Sequence, residues 1–134
     1  MVRFFLSAGA VCGLTAVLFG AFGAHGLSQH LSPVMMNAYE KGVDYHSLHA
    51  LALLAIGLML QLNPSRCLVW AGGMMLIGII LFSGSLYLMA ITHYRPLGII
   101  TPFGGTAFII GWGCLLKAAM GFGSTNHAKK PAKE

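Results

Sequence analysis

Charged residues divide the chain into four long uncharged windows. These windows cover residues 4–39, 45–65, 67–94 and 96–116, and apolar side chains dominate each of them. A helix that crosses the hydrocarbon core of a bilayer needs about 20 predominantly apolar residues. The pattern therefore predicts an all-α membrane protein, a compact four-transmembrane-helix bundle in one domain, with spans at about 4–24, 46–62, 67–91 and 102–121.

Residues with strong turn and cap preferences mark the ends of these spans. His25-Gly26 is expected to end the first span, with glycine in the left-handed cap conformation. Ser32-Pro33 and Thr101-Pro102 each combine an N-cap residue with a proline at the first helical position, and Asn63-Pro64 predicts a tight turn. The helix that begins after Ser32 either continues into the second span or breaks at Gly42, which would leave a short interfacial helix.

Composition supports the membrane assignment and excludes a soluble domain. The chain has 134 residues, of which 57% are hydrophobic and 8% charged, whereas soluble domains carry about 25% charged residues. The first apolar window exceeds the roughly 7–15 residues of a signal-peptide core, and no soluble domain follows it. We therefore expect this window to be retained as a span.

The distribution of basic residues predicts the orientation. With four spans, both termini and the turn between the second and third spans lie on one side. That side holds Arg3, Arg66, Lys117, Lys129, Lys130 and Lys133, and the other holds Lys41 and Arg95. Positive charge stays on the cytoplasmic side, so the sequence predicts a multi-pass inner (plasma) membrane protein with both termini cytoplasmic. Residues 124–134 are expected to form a basic, disordered cytoplasmic tail. It is suited to anionic lipids or serves only to solubilise the end.

Histidines gather at the opposite, outer end of the predicted bundle. The five placed there are His25, His30, His46, His49 and His93. His25 ends the first span and His49 lies early in the second, so we expect the two at a similar depth. With Tyr45 and Asp44 they could handle a proton or a small polar ligand. With His46 they could bind a metal such as Zn or Cu. The alternative is that His25 and His49 are hydrogen-bonded packing residues, since polar groups in membranes must be satisfied.

Small residues recur at positions that suit close helix packing. The positions that we expect at helix contacts are Ala16, Gly20, Ala24, Gly84, Gly104 and Gly105. Small side chains let helix backbones approach closely in lipid, and surplus small surface would also suit a homo-oligomer. No nucleophile–base pair or phosphate-binding loop is present, so no catalytic residue is assigned and an enzyme ranks behind the other classes. The dispersed basic residues do not indicate nucleic-acid binding, and no cofactor is identified.

Four segments together resemble a known family. They are Gly20–Leu27, Tyr45–Leu54, Leu81–Tyr87 and Thr101–Gly105. The family comprises small bacterial inner-membrane proteins of unknown function, related to transmembrane protein 256 of animals. The resemblance implies four spans in the plasma membrane and no established activity. Its motif histidines correspond to His25 and His49, while the pattern is looser at His46.

The sequence therefore leaves two classes of function open. One is binding or transport of a proton, metal ion or small polar ligand at the histidine site near the outer face. The alternative is a non-catalytic structural or assembly subunit that packs against a larger membrane complex.

Overall fold

All four predicted spans are helical in the computed structural model, which describes residues 1–121. The segments long and apolar enough to cross a membrane are Val2–Leu27, Pro33–Leu62, Arg66–Thr92 and Arg95–Met120. The protein is therefore a four-helix multi-pass membrane protein, as predicted. The predicted basic tail at 124–134 lies outside the described residues.

Three of the four spans combine an α-helix with a short segment of different pitch. The first span is α1 (Val2–Phe22) followed by a π-helical turn (Gly23–Leu27), and the second is α2 (Pro33–Leu62). The third span comprises α3 (Arg66–Gly78), a π-helical segment (Ile79–Ser83) and α4 (Gly84–Thr92). A 3₁₀ turn (Arg95–Ile99) leads into α5 (Thr101–Met120).

The helix ends follow the predicted chemistry only in part. The Ser32 hydroxyl accepts a hydrogen bond from the Met35 backbone N–H at 3.4 Å, which is the expected N-cap. The Thr101 hydroxyl does not cap α5 and instead lies 2.8 Å from the Ser85 hydroxyl of α4. No glycine in residues 1–121 has a positive φ, so the left-handed cap expected at Gly26 is wrong. His93 ends α4 in that conformation instead, with φ 56°.

The second span is one continuous helix, so the short interfacial helix is not a separate element. Gly42, where the sequence would allow a break, is buried inside α2. A Cβ added at Gly42 would lie 2.9 Å from the Tyr87 ring. Glycine is needed here because an aromatic ring from the third span packs directly on the helix backbone.

Successive spans run antiparallel, so the bundle has two distinct ends. The proximal end holds the start of α1 and the end of α5. The distal end holds the 23–32 loop and the 93–100 connector. α1 packs along α2, where glycines at Gly9 and Gly57 admit Leu54 and Leu6. α5 packs along the third span, where Gly78 admits the Phe108 ring and Gly104 meets the backbone of Phe82.

Buried side chains form two clusters at different depths. The larger cluster lies toward the proximal half and includes Phe5, Leu53, Leu68, Met75 and Phe108. The smaller cluster lies toward the distal end and is built from Tyr39, Tyr87 and Ala90. The proximal half is therefore closed by close packing, and the distal half is held by fewer, larger aromatic groups.

The small residues expected at helix contacts occupy different surroundings. Ala16 is buried, Gly104 is buried against Phe82, and a Cβ at Gly20 would lie 3.4 Å from Val43. Gly105 has only ordinary contacts, and a Cβ added at Gly84 would meet nothing within 4 Å. Ala24 is exposed. Within the described chain, close packing thus involves Ala16, Gly20 and Gly104, and Gly84 faces open space.

Candidate functional site: polar ties and a lateral groove

His49 joins α2 to α5 and has both ring nitrogens occupied. Its side chain is 2% exposed, and its Nδ1 lies 2.6 Å from the Tyr45 carbonyl one turn earlier. The indole N–H of Trp112 donates to its Nε2 at 3.2 Å. Because an indole N–H can only donate and a carbonyl can only accept, His49 is neutral with its proton on Nδ1. The ring also stacks on Phe108 with centroids 3.4 Å apart.

His46 points away from His49 and joins α2 to two other helices, α1 and α4. Its Nδ1 lies 3.2 Å from the Tyr87 hydroxyl of α4, and its Nε2 lies 3.4 Å from the Thr15 hydroxyl of α1. Thr15 already has the Val11 carbonyl at 3.0 Å as an acceptor. This favours a Thr15 oxygen that accepts from His46 and a Tyr87 hydroxyl that donates to His46. The two histidines thus connect α2 to every other span.

The structure does not bring His25 together with His49. Gly23 lies against Tyr39, so His25 is level with the part of α2 that lies about twelve residues before His49, a separation of roughly 18 Å along the helix axis. The expectation that the two histidines share a depth is therefore wrong, because α2 begins at Pro33 and carries His49 to mid-span. His25 itself is exposed.

The other predicted ligand residues also separate. The Asp44 carboxylate is exposed and accepts from Lys41 Nζ at 3.0 Å, so it does not accompany the histidines. The Tyr45 ring stacks near His49, with centroids 5.9 Å apart, and against Phe82 at 4.5 Å. Within residues 1–121, no three His, Cys, Asp or Glu side chains converge as a metal site. The candidate metal set His25, His46 and His49 is thus not assembled.

A lateral groove lies between α1 and the third span, with α2 as its floor. Its volume is about 630 Å³, inside the roughly 300–1,000 Å³ range of small-molecule sites. The walls are almost entirely apolar and include Phe22, Tyr39, Ile79, Ile91, Leu97 and Ile100. His46 and Tyr87 also line it, but their polar atoms are engaged with each other and with Thr15.

The groove extends from mid-span to the distal end. Ile79 is midway along the third span and Ile91 is close to its distal end. The twelve residues between them rise by roughly 18 Å, and one leaflet of a bilayer contributes about 15 Å of hydrocarbon. The groove therefore matches one leaflet in length.

Thr15, Tyr87 and Trp112 do not stand out from the sequence as site residues. Each carries an N–H or O–H group inside a predominantly apolar span. An unpaired group of this kind would be costly in a membrane. The need for a hydrogen-bond partner predicts that each of these groups has one. It does not predict which histidine is the partner, because this depends on which spans are neighbours in the bundle.

Comparisons with known proteins place the chain in a family. The family described as "Protein of unknown function (DUF423)" matches residues 19–105. A UPF0382 membrane protein of Staphylococcus epidermidis is 46% identical over 121 residues, which cover 90% of this chain and 98% of the relative. The UPF0382 membrane protein YwdK of Bacillus subtilis is 42% identical, with 89% and 98% covered. The UPF0382 inner membrane protein YgdD of Escherichia coli is 38% identical, with 88% and 90% covered.

No solved structure matches the chain. The matched range 19–105 contains every residue that lines the lateral groove, but neither Thr15 nor Trp112. The family match and the high coverage of these relatives point to the same family, and the four membrane-spanning helices fit the relatives' description as membrane proteins. This chain belongs to the DUF423 family of membrane proteins of unknown function.

Proposed function

We propose that the protein binds the apolar chain of a membrane lipid or similar lipophile in the lateral groove. The observation that carries this proposal is an apolar groove of about 630 Å³ whose length matches one leaflet. Several kinds of apolar chain would fit there, and because the chain is already in an apolar solvent, the favourable term is close dispersion contact with the groove walls rather than removal from water.

The alternative of a proton or metal site at the histidines has less support. Both nitrogens of His49 are already hydrogen-bonded, to Tyr45 and Trp112. A metal ion or an added proton would have to displace the Trp112 N–H. His46 is similarly engaged between Thr15 and Tyr87. We therefore assign the two buried histidines a structural role beneath and beside the groove.

The orientation of the groove follows from the positive-inside expectation. The proximal end carries Arg3, Arg66 and Lys117, and the distal end carries Lys41 and Arg95. If the proximal end is cytoplasmic, both termini are inside and the groove opens within the outer leaflet. Fusion of a reporter enzyme to the C-terminus would test this orientation.

Filling the groove at Gly84 is expected to displace the bound lipid. Gly84 lines the groove, and a Cβ added there would meet nothing within 4 Å. Gly84→Leu should therefore fold normally and occupy the groove. Native mass spectrometry of protein purified in mild detergent should show at least about fivefold less retained lipid, because the leucine removes dispersion contacts to the chain worth on the order of 1 kcal/mol or more.

The matched control is Gly113→Leu on α5, where an added Cβ also meets open space and which does not line the groove. It should retain lipid like the wild type. Leu88→Trp, at another lining residue, fills the groove in a second way if the Gly84 variant has a lowered thermal stability. Equal lipid retention by wild type and both plugged variants would contradict the proposal.

A second candidate function is packing against another membrane helix, from a second copy or a larger complex. The observation that favours it is a shallow recess of about 180 Å³ between α1 and α2, lined in part by Gly13, Ser47 and Ala50. A Cβ at Gly13 would contact nothing, so this small-residue surface is unfilled within the described chain. Small residues of this kind admit a partner helix.

Enlarging Gly13 is expected to separate such a partner without unfolding the bundle. Gly13→Leu should fill the recess and shift the protein to a smaller species in blue native electrophoresis, since a partner side chain could no longer enter. Gly73→Leu, also in open space but on α3, is the control. A wild type that is monomeric and partner-free in native membranes excludes this candidate.

A further inference from the structure

The connector over the distal mouth of the groove carries an unpaired cation. Ile91 precedes the 93–100 connector and Leu97 lies within it, and both line the groove. Arg95 lies between them in the sequence. The Arg95 side chain is exposed. Within residues 1–121 the only ion pair joins Lys41 to Asp44, so Arg95 has no carboxylate partner there.

We infer that the groove selects lipids with an anionic phosphate headgroup, and that Arg95 binds this phosphate. The inference rests on the proposed function, because it names the class of ligand for that same groove. A lipid that places its chain between Ile79 and Ile91 puts its headgroup at the level of the connector. A guanidinium offers several N–H donors in a planar fork that matches phosphate oxygens.

The other charges at the distal end are separate from the groove mouth. Glu40 and Asp44 line a different recess of about 170 Å³ between α1 and α2, and the groove lining contains no carboxylate. Lys41 is neutralised by Asp44 at 3.0 Å. Of the lysines and arginines at the distal end within residues 1–121, Arg95 is thus the one with no carboxylate within ion-pair distance.

Local contacts define the backbone of the connector just before Arg95. α4 ends at His93, the only non-glycine residue with positive φ in residues 1–121. The Thr92 hydroxyl lies 2.6 Å from the Leu88 carbonyl and accepts from the Tyr94 N–H at 3.3 Å. The chain then enters the 3₁₀ turn that begins at Arg95. Because Leu97 and Ile100 of the same connector line the groove, the backbone of Arg95 lies near its distal end.

The test measures lipid preference with defined probes and a charge-matched control. Purified protein is titrated with phosphatidylglycerol, phosphatidic acid and diacylglycerol of the same chains, and binding is followed by native mass spectrometry. The wild type should bind the two phosphate lipids about fivefold or more tightly than diacylglycerol, since one basic residue at the surface contributes about this factor. Phosphatidic acid and phosphatidylglycerol distinguish a phosphate monoester from a diester.

Arg95→Gln should abolish the preference and leave diacylglycerol binding unchanged, while Arg95→Lys should restore part of it. Lys41→Gln removes the same charge from the same end and should have no effect. A preference that survives in Arg95→Gln, or equal wild-type binding of all three probes, overturns the inference.

If Gly84→Leu also leaves the binding of every probe unchanged, the proposed function fails with it. If Gly84→Leu weakens all three, the groove binds lipid and only the headgroup assignment fails.

Discussion

Replacing Gly104 with alanine is expected to lower the free energy of unfolding by about 3 kcal/mol, the upper part of the range for overpacking a close contact. The new Cβ would overlap the backbone N and Cα of Phe82, in the π-helical segment of the third span. A side chain can rotate away from a clash of this kind, but a helix backbone cannot. α5 would therefore have to move outward along much of its contact with the third span.

The adjacent glycine provides the control for this substitution. A Cβ at Gly105 would lie 3.8 Å from the nearest Phe82 ring atom, which is ordinary contact. Both variants add one methyl group and both replace glycine by a better helix former. Unfolding in mixed micelles should show Gly105→Ala close to the wild type and Gly104→Ala strongly destabilised. Equal stability of the two variants would mean that α5 does not approach the third span as described.

The second large effect is expected at His49, where alanine should cost about 3 kcal/mol. The substitution would leave the Trp112 N–H without its acceptor and the Tyr45 carbonyl without its side-chain donor. It would also open a cavity beside the Phe108 ring, which stacks on the imidazole. Loss of packing and loss of hydrogen bonds act in the same direction here. The same micelle assay measures the change.

A double-mutant cycle separates these contributions. Trp112→Phe removes the indole donor together with part of the ring volume, and its coupling with His49→Ala should be about 0.5–1.5 kcal/mol, the scale of interhelical hydrogen bonds in membranes. His25→Ala, at an exposed position in the distal loop, should change stability by less than about 0.5 kcal/mol. A fully stable His49→Ala protein that has lost only ligand binding would instead support the histidine ligand site.

The sequence predicts the spans well because each depends on a local property. A window without charge and with enough apolar residues crosses the bilayer whatever surrounds it. The N-cap at Ser32 is likewise local, since its hydroxyl bonds a backbone N–H three residues later. The number of helices and the start of α2 were therefore within reach of the pattern alone.

The site was harder to predict because it depends on which spans are neighbours. His46 and His49 are three residues apart, and helical spacing alone makes them look like one cluster. They face different spans, with His46 toward Tyr87 and His49 toward Trp112. The Thr101 hydroxyl similarly fits a cap by sequence, yet Ser85 of a different helix offers it a partner. Spacing within one helix carries no information about these competing contacts.

The π-helical segment Ile79–Ser83 has a consequence for how this chain tolerates change in length. The Gly84 N–H bonds the Ile79 carbonyl five residues earlier, so the segment holds one residue more than an α-helical turn would. Each residue of an α-helix turns the chain by roughly 100°. Deleting a single residue here would leave four spans of adequate length but would rotate α4 about its axis, turning Tyr87 away from His46. The extra residue sets the rotation of the distal half of the third span relative to its proximal half. With that rotation, the proximal half faces the close-packed core and the distal half faces the groove.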